Sequence, residues 1–372
     1  MNERYPLPEQ NSRKMIRDSR ALWEEVFSED SEAFLNYYTE NVAQKNRIQT
    51  RYEEGCLASM VHWNPYMMYL TGRAVKSYYL VGVATKERFR HRKYMTGLIS
   101  DGLYRLYSEK VPFVFLMPAD PAIYTPLGFR YIYEKSEWEG SLDTGGFADD
   151  MIISSMSVRA LNESEFAEAA AWVSRRLRPK YSLFVKRDEE YYSRMMKECE
   201  SEGGAACGIF LREKLIGVFL WWMDDGITIR ELVLLDEWED KQELLFRALL
   251  RYFDGSDRVR IVTTGWLGRK KPIIMARIVN LPRFLSYFTA PERVTVRIWV
   301  KDDVMPDNNG SFCWIASPEG SVVYATDKEA DGAVNIDELL LWLFGVTDMP
   351  SMLPEGCRKI KTISGIYIPE IV

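Results

Sequence analysis

The chain has 372 residues, enough for two or three domains with sizeable cores. Its formal net charge of −6 argues against a general nucleic-acid binder, which would usually be basic. Five scattered cysteines without CxxC spacing, together with only two histidines, argue against a metal site. The first residues are too polar for a signal peptide, and no run has the apolar length of a membrane span. We therefore expect a reduced cytoplasmic protein without a membrane or nucleic-acid partner.

The first segment predicts two helices followed by strands. Apolar residues, including Trp23 and Phe27, fall near one face of an amphipathic helix within residues 13–29. Capping residues then introduce a second helix that continues through Tyr38. Strand-like stretches follow at residues 56–70 and 77–85. This order is typical of a mixed α/β domain.

A cationic turn between a strand and a helix is the most informative feature of this segment. Against a single Glu87, the turn carries Lys86, Arg88, Arg90, Arg92 and Lys93. A helix follows from Tyr94 to Lys110, and a helix N-terminus offers free amide hydrogens and a positive dipole end. A pyrophosphate needs these groups, so the turn predicts a site for a phosphorylated cofactor. The alternative is that the charges only solvate the start of a helix.

A second α/β segment repeats this element order but not its residues. The turn before its long helix reads DEWED (residues 236–240), where the first copy reads KERFRHRK. Four carboxylates would repel a pyrophosphate, so only the first copy should bind the cofactor if the two segments are duplicates. Two unrelated α/β segments are the alternative.

The sequence changes in character after Lys271. Three stretches look like antiparallel strands, and Asn335 stands at the N-cap position of a short apolar helix within residues 335–345. The last residues, IYIPEIV, are apolar, whereas disordered termini are usually polar. We infer that the C-terminus is packed against another part of the protein.

These segments resemble a known family. VGVATKERFRHRKYMTGLI (residues 81–99) looks like the acetyl-coenzyme A motif of the GNAT N-acetyltransferases, and PADPAIYTPLGFRYIYE (residues 118–134) looks like the closing segment of that fold. In its three-part order, the whole chain is similar to the Eis-like (enhanced intracellular survival) branch. The resemblance implies α/β tandem GNAT domains with mixed sheets, the active one at residues 1–145 and a degenerate one at 146–270. A sterol-carrier-like α/β domain would follow at residues 271–372, with a C-terminal tail that reaches the active site.

The resemblance also implies the site residues. Tyr124 falls where the family places its general acid, and the terminal carboxylate of Val372 would be the base. Backbone amides of Val83 and Thr85 would hold the pantetheine arm and polarise the thioester carbonyl. Residues of the turn and helix start would meet the pyrophosphate: Arg88, Arg90, Arg92, Lys93 and Tyr94.

The turn departs from the family pattern at one position. The family has Arg-x-x-Gly, and here Arg90 is followed three residues later by Lys93. Glycine lets a backbone approach a phosphate closely because it has no Cβ. Lys93 would still offer its amide if its φ is negative, and it would add a charge.

The function that the resemblance implies is acetyl-coenzyme A-dependent N-acetylation of a primary amine, by direct attack in a ternary complex. The acceptor would be a small-molecule or peptidyl amine, such as an aminoglycoside, a polyamine or a lysine. Candidates for its pocket are Trp23, Phe27, Glu29 and Asp30, although helical spacing favours core positions for the first two. The alternative is a non-catalytic protein that binds acyl-coenzyme A or a lipid. Relatives form homo-oligomers, commonly hexamers, and we expect a homo-oligomer here.

Overall fold

The structure, a computed structural model, describes residues 7–140, 151–224, 226–253, 259–263 and 268–370. It has the predicted mixed α/β architecture. The α-helices are α1 (Arg13–Val26), α2 (Glu32–Tyr37), α3 (Tyr94–Ser108), α4 (Pro121–Tyr124), α5 (Met151–Ser154), α6 (Phe166–Leu177), α7 (Glu189–Ser201), α8 (Gln242–Tyr252), α9 (Leu281–Leu285) and α10 (Ile336–Leu343). The strands are β1 (Arg47–Glu53), β2 (Cys56–Leu70), β3 (Arg73–Thr85), β4 (Phe113–Leu116), β5 (Arg130–Gly140), β6 (Met156–Ala160), β7 (Leu183–Val185), β8 (Ala205–Leu211), β9 (Lys214–Asp224), β10 (Gly226–Leu234), β11 (Val259–Thr263), β12 (Arg269–Ile278), β13 (Val294–Lys301), β14 (Gly310–Ser317), β15 (Gly320–Ala325), β16 (Gly332–Asn335) and β17 (Ile366–Tyr367).

One thirteen-stranded sheet runs through both α/β segments. Its order is β17-β7-β2-β3-β4-β12-β5-β11-β10-β9-β8-β6, with β1 paired to the first part of β2. The second segment joins the first at two places, because β11 pairs with β5 and β7 pairs with the end of β2. The two segments therefore share one continuous sheet.

Strand β12 crosses the predicted boundary at residue 270. It pairs antiparallel with β4 on one side and with β5 on the other, so it lies inside the sheet of the first segment. Burial explains this position, since Ile274, Met275 and Ala276 are almost completely buried. The other predicted boundary, near residue 145, lies outside the described residues.

The third segment forms its own sheet of four strands, in the order β15-β14-β13-β16. The three predicted strands β13, β14 and β15 are antiparallel, and β16 adds a parallel neighbour to β13. Asn335 caps α10 as predicted, in a reciprocal capping box with Glu338. Helix α10 packs its apolar side against the first segment, at β5 and β12.

Three apolar clusters fill the interior. One lies between α3 and one face of the first segment's strands, and a second lies under α1 and α2 on the opposite face. The largest continues from that opposite face through the second and third segments. All parts of the described chain therefore pack around the sheet.

Candidate active site

The parallel strands β3 and β4 separate after a short stretch of pairing. Tyr78 pairs with Val114 and Tyr79 with Phe115, and these are the only paired positions between the two strands in the described chain. Strand β3 then continues to Thr85, whereas β4 ends at Leu116. A gap therefore opens in the sheet beside the second half of β3.

A bulge in β3 lies beside this gap. The pairing with β2 shifts between Met60 and His62, which leaves one extra residue on β3. Gly82 has a φ of +56° there, and a Cβ at this position would lie 2.4 Å from the Trp23 ring. Both the backbone angle and the space therefore require glycine.

The backbone after the bulge turns polar groups toward the gap. The amide of Lys86 donates to the carbonyl of Ala58 on the β2 side, at 2.9 Å. Because successive backbone groups of a regular strand point in opposite directions, the amide of Thr85 faces away from β2. The predicted thioester-binding amide of Thr85 thus lies on the edge of β3 that faces the gap, whereas Val83 lies within the bulge, where this alternation is interrupted.

The cationic turn connects this edge to α3. Arg90, Arg92 and Lys93 are exposed, and Arg92 lies over the ring of the buried Phe89 at 5.1 Å. No side chain caps the N-terminus of α3 at Lys93. Three exposed cations therefore surround a helix end whose first amides are available to an anion.

Two of the predicted cofactor residues are engaged elsewhere in the protein. Arg88 donates to Cys56 Sγ at 3.1 Å and lies 3.7 Å from a carboxylate oxygen of Glu54. The Tyr94 hydroxyl donates to Glu53 at 3.1 Å. Arg90, Arg92 and Lys93 are thus more directly accessible to a ligand than Arg88 and Tyr94.

The backbone of the turn has a positive φ at two residues. Lys93 has φ +60° and ψ 20°, and His91 has φ +64°, so the condition of a negative φ at Lys93 is not met. The turn keeps the left-handed conformation that glycine favours even though a lysine occupies the position. For a residue with a Cβ this conformation costs roughly 1–2 kcal/mol.

Tyr124 lies on the same face of the sheet as α3. It ends the short helix α4, belongs to the cluster beneath α3, and packs edge-to-face on Phe129 at 5.9 Å. Burial raises the pKa of its hydroxyl to about 12. The phenol is therefore protonated at neutral pH and is able to donate a proton.

Tyr66 begins a row of contacts on the opposite face of the sheet. Its ring contacts Phe115 at 5.8 Å and Tyr79 at 6.2 Å, at the point where β3 and β4 separate. The guanidinium of Arg194 lies over the Tyr66 ring at 4.8 Å and near Tyr191 at 5.7 Å. Aromatic and cationic side chains of α7 therefore cover this face of the gap.

Two cavities adjoin the same face. One of about 190 Å³ is lined by residues that include Asn64, Tyr66 and Arg194. The other, of about 210 Å³, lies between Met117, just after β4, and Lys135 of β5.

In the second segment, the turn that corresponds to the cationic turn forms ion pairs with a lysine. Lys180 lies 2.5 Å from both Asp236 and Glu239, two carboxylates of the DEWED turn. An incoming phosphate would meet carboxylates that already hold a cation. The prediction that only the first segment binds the cofactor rests on this difference in charge.

The candidate acceptor residues on α1 and the following loop divide into core and polar positions. Trp23 is buried among Phe34, Tyr38 and His62, and its indole donates to Asp30 at 2.7 Å. Burial raises the pKa of the Asp30 carboxyl. Trp23 is therefore a core residue that also orients Asp30.

The C-terminal tail lies beside the second segment, near Arg187 and Tyr191, although Val372 itself lies outside the described residues. Strand β17 pairs with β7, and Glu370 is 4% exposed. Glu370 lies 3.0 Å from Arg187, and Lys135 donates to the carbonyl of Pro369 at 2.7 Å. The sequence analysis missed these buried cations, and the only sequence signal for them was a glutamate within an apolar tail.

Neither a metal site nor a membrane-spanning helix is found within the described ranges. No group of three or more His, Cys, Asp or Glu side chains there could hold a metal ion. No helix among those residues is long and apolar enough to cross a bilayer.

Comparisons with known proteins agree with this geometry. Residues 10–132 match the family model described as an acetyltransferase (GNAT) domain. No protein of curated function matches the sequence significantly. Several solved structures, by contrast, share the fold over nearly the whole chain.

The first of these structures is a conserved protein of unknown function from Enterococcus faecalis V583, described as a probable N-acyltransferase. It has a TM-score of 0.81 and 15% identity, over 98% of this chain and 99% of that chain. A GCN5-related N-acetyltransferase from Anabaena variabilis has a TM-score of 0.76 and 16% identity, over 99% and 100%. Eis1 from Mycobacterium abscessus has a TM-score of 0.65 and 14% identity, over 99% of each chain. At these identities the likeness shows the fold.

The family model and the fold agree on the first segment. Residues 10–132 match a GNAT acetyltransferase domain, as predicted, and the whole chain shares the fold of these solved structures. Donors of such domains are acyl-coenzyme A thioesters.

Proposed function

We propose that the chain transfers an acetyl group from acetyl-coenzyme A to a primary amine, as an enzyme of the Eis-like type. The observation that carries this proposal is the gap between β3 and β4, which has an exposed cationic turn at its edge. A thioester needs such an opening, because its acyl group must reach an acceptor while its pyrophosphate stays at the helix end.

The cofactor contacts follow from the edge of β3 and the turn. Amides of Val83 and Thr85 would hold the pantetheine arm and polarise the thioester carbonyl. Arg90, Arg92 and Lys93 would meet the pyrophosphate directly. Arg88 and Tyr94, which have partners within the protein, would join by exchanging them.

The chemistry is a direct transfer between two faces of the sheet. On the face opposite α3, which carries Tyr66, the unprotonated amine would attack the thioester carbonyl. The terminal carboxylate of Val372 would accept the proton that the nitrogen loses. On the α3 face Tyr124 donates its hydroxyl proton to the thiolate as the carbon–sulfur bond breaks. Tyr124 then regains a proton from solvent. Because the amine attacks the thioester directly, no covalent acyl-enzyme forms.

The remaining assignments are proposals about the whole chain. Two GNAT domains, at residues 1–145 and 146–270, would precede a sterol-carrier-like domain at 271–372, and the tail of that domain would reach the active site. The full-length likeness to Eis1 of M. abscessus supports this three-part order. A cytoplasmic homo-oligomer, with a hexamer as one candidate, is the state that we propose.

The acceptor is a small-molecule or peptidyl primary amine, and a thiol-release assay tests the proposal. Purified protein with acetyl-coenzyme A should release free coenzyme A only when a suitable amine is present. The panel should include aminoglycosides, linear polyamines and lysine-containing peptides, and mass spectrometry should find a single added acetyl group on the amine. Release that does not depend on any amine, or no release with the whole panel, would contradict the proposal. The second result would favour the non-catalytic alternative.

A further inference from the structure

The cavity of about 210 Å³ lies over four neighbouring strands, β12, β5, β11 and β10. Directly paired residues, like alternate residues of one strand, have their side chains on the same face of a sheet. Lys271 of β12 pairs with Lys135 of β5, and Arg260 of β11 pairs with Thr228 of β10. All four residues line the cavity, so its wall is one continuous face of the sheet.

Most charged side chains of this wall are cations. Lys135, Arg230, Arg260 and Lys271 line the cavity together with one carboxylate, Glu137. Glu137 lies 3.8 Å from Arg260, so its charge acts first on that guanidinium. The two lysines form a cross-strand pair, and like charges directly opposite each other destabilise a sheet. The sheet itself gains nothing from this pair, whereas both ammonium groups would attract an anion that lies between them.

The flanking positions of the same face differ from the lysine pair. Arg269 pairs with Glu137, and Arg260 pairs with Glu139. At both places a cation faces a carboxylate, which is the favourable arrangement across two strands. The excess of positive charge is therefore concentrated at Lys135 and Lys271.

Lys135 is buried and keeps hydrogen-bond donors for a ligand. It is 1% exposed, and its Nζ donates to the carbonyl of Pro369 at 2.7 Å. An ammonium has three N–H donors, and this carbonyl is the single acceptor found for Lys135 within the described chain. Burial lowers the pKa of Lys135 to about 7, although the nearby Glu370 opposes this shift. Glu370 is itself held by Arg187 at 3.0 Å, so an anion in the cavity would give Lys135 a charge partner of its own.

Lys271 is the exposed member of the pair. No hydrogen bond or ion pair of its side chain is found among the residues that the structure describes. The preceding residue, Lys270, is also exposed, but successive residues of a strand point to opposite faces. Lys270 lines a different cavity, of about 680 Å³. These two neighbouring lysines therefore allow the effect of the cavity to be separated from that of charge in general.

The cavity adjoins the gap between β3 and β4. Met117 lines the cavity, and it directly follows Leu116, the last residue of β4. Strand β4 pairs with β3 on one side and with β12, which carries Lys271, on the other. The gap and the cavity therefore lie on the two sides of the end of β4. A ligand whose anionic group lies in the cavity is able to extend its other end toward the gap.

We propose that this cavity binds an anionic group of the acceptor, a carboxylate or a phosphate, through Lys135 and Lys271. The inference rests on the proposed function and narrows its acceptor class. The preferred acceptor is a primary amine that also carries an acidic group. Polycationic amines are disfavoured, because their additional ammonium groups would meet the cations of the cavity.

The test uses acceptors that differ in the group farthest from the amine. With the full-length protein and acetyl-coenzyme A, γ-aminobutyrate presents a carboxylate, its amide presents a neutral group, and putrescine presents a second ammonium. We expect kcat/KM to fall in that order. The first step should be about 10-fold and should lie mainly in KM, because a hydrogen bond to a charged group contributes on this order. Phosphoethanolamine compared with ethanolamine asks the same question of a phosphate.

Variants of the two neighbouring lysines assign the preference to the cavity. Lys271→Gln should raise the KM for γ-aminobutyrate about fivefold, the upper range for an exposed charge, and leave the KM for its amide unchanged. Lys271→Glu should shift the preference toward putrescine. Lys270→Gln is the matched control and should leave all three KM values unchanged. All three substitutions are at exposed positions, so the variants should fold normally.

Calorimetric titration of the same amines in the presence of coenzyme A separates this inference from the proposed function. Tighter binding of γ-aminobutyrate than of its amide, lost in Lys271→Gln but kept in Lys270→Gln, supports the anion site. If this binding pattern is found but no amine is acetylated, the proposed function fails and the anion site stands. Equal or undetectable binding of the anionic and neutral amines, in both the carboxylate and the phosphate series, would overturn the inference. A preference for putrescine, or equal effects of the two Lys→Gln substitutions, would overturn it as well.

Discussion

Lys93 occupies a backbone conformation that usually belongs to glycine. Its φ of +60° costs roughly 1–2 kcal/mol in a residue with a Cβ. We predict that Lys93→Gly raises the free energy of unfolding by about 1 kcal/mol. Loss of an exposed cation should weaken coenzyme A binding by up to about fivefold. Urea unfolding and calorimetric titration measure the two effects.

Lys110 is a matched control for this prediction. It is an exposed lysine with φ +59°, at the far end of α3. Lys110→Gly should stabilise the protein to a similar degree and leave coenzyme A binding unchanged. If Lys93→Gly destabilises while Lys110→Gly stabilises, the side chain of Lys93 makes contacts that outweigh its backbone strain.

Tyr124 is the proposed proton donor, and the pKa of its hydroxyl is compatible with that role. Its pKa is raised to about 12, so the phenol keeps its proton throughout the neutral range. We predict that Tyr124→Phe folds normally and lowers kcat by roughly 10²- to 10⁴-fold, the usual contribution of a general acid. Steady-state kinetics should show this loss in kcat. The Kd of the variant for coenzyme A should equal that of the wild-type protein. Undiminished kcat would remove Tyr124 from the mechanism.

His62 should make stability depend on pH. Burial lowers its pKa to about 3, whereas the unfolded chain has a value near 6.5. Below about pH 6.5 the unfolded state therefore binds the additional proton, and stability falls as pH falls. We predict that His62 contributes a loss of about 2 kcal/mol between pH 7 and pH 5.

The other histidine of the chain, His91, provides the control. It lies exposed in the cationic turn. Urea unfolding at both pH values should show a reduced pH dependence in His62→Gln and the wild-type dependence in His91→Gln. Equal behaviour of the two variants would show that His62 is protonated in the folded protein.

At the scale of elements, the strand, turn and helix around the site were predictable from sequence. The predicted strand at residues 77–85 lies within β3, and the predicted helix start at Tyr94 is that of α3. Such signals are local, because apolar periodicity and capping act within one element. The bulge at Gly82 was not predicted, because it follows from packing against Trp23. The positive φ of Lys93 was not predicted, because its residue type does not favour one.

The cationic turn should account for most of the affinity for coenzyme A. Reversing two exposed charges, in Arg90→Glu with Arg92→Glu, replaces attraction of the pyrophosphate by repulsion. Each charge-assisted hydrogen bond contributes about 1.5–3 kcal/mol, so Kd should rise about 100-fold or more. Calorimetric titration measures this change, and wild-type affinity should also weaken as salt is added.

The DEWED turn of the second segment is the control for charge reversal. Glu237 and Asp240 are exposed there, and Glu237→Lys with Asp240→Lys changes charge at the equivalent place. We expect no change in coenzyme A binding from this variant. Normal affinity in the first double variant, or weakened affinity in the second, would contradict the assignment of the site.

At the scale of the whole molecule, the strand pairings and buried charges that were not predicted depend on contacts between distant parts of the sequence. Strand β12 joins the first segment's sheet from more than a hundred residues along the chain, and β7 extends it at the end of β2. Local periodicity predicts that these stretches are strands but not which neighbours they pair with. Arg187 and Lys135 are likewise ordinary charges in the sequence. Their burial is decided by where the tail lies.

The third segment supports the turn that follows Tyr124 through a buried ion pair. Arg277 of β12 forms two hydrogen bonds of 2.8 Å with Asp302, and both residues are buried. Gly128, four residues after Tyr124, has φ +80°, and a Cβ there would lie 1.9 Å from the Arg277 guanidinium. Asp302 therefore fixes the side chain on which the closing turn of the first segment rests.

We predict that Asp302→Asn lowers the free energy of unfolding by about 3–5 kcal/mol, because it leaves Arg277 charged and buried without a carboxylate. Adding Arg277→Met removes that charge. The side-chain amide oxygen introduced by Asp302→Asn still accepts from the backbone amides of Val304 and Met305, as Asp302 does. The double variant should therefore recover part of the lost stability. Asp331→Asn is the control, since its pair with Arg297 is about 40% exposed and should contribute less than about 1 kcal/mol. Urea unfolding of the three variants measures these differences. A double variant less stable than Asp302→Asn alone would mean that Arg277 supports Gly128 by its shape and not by its charge.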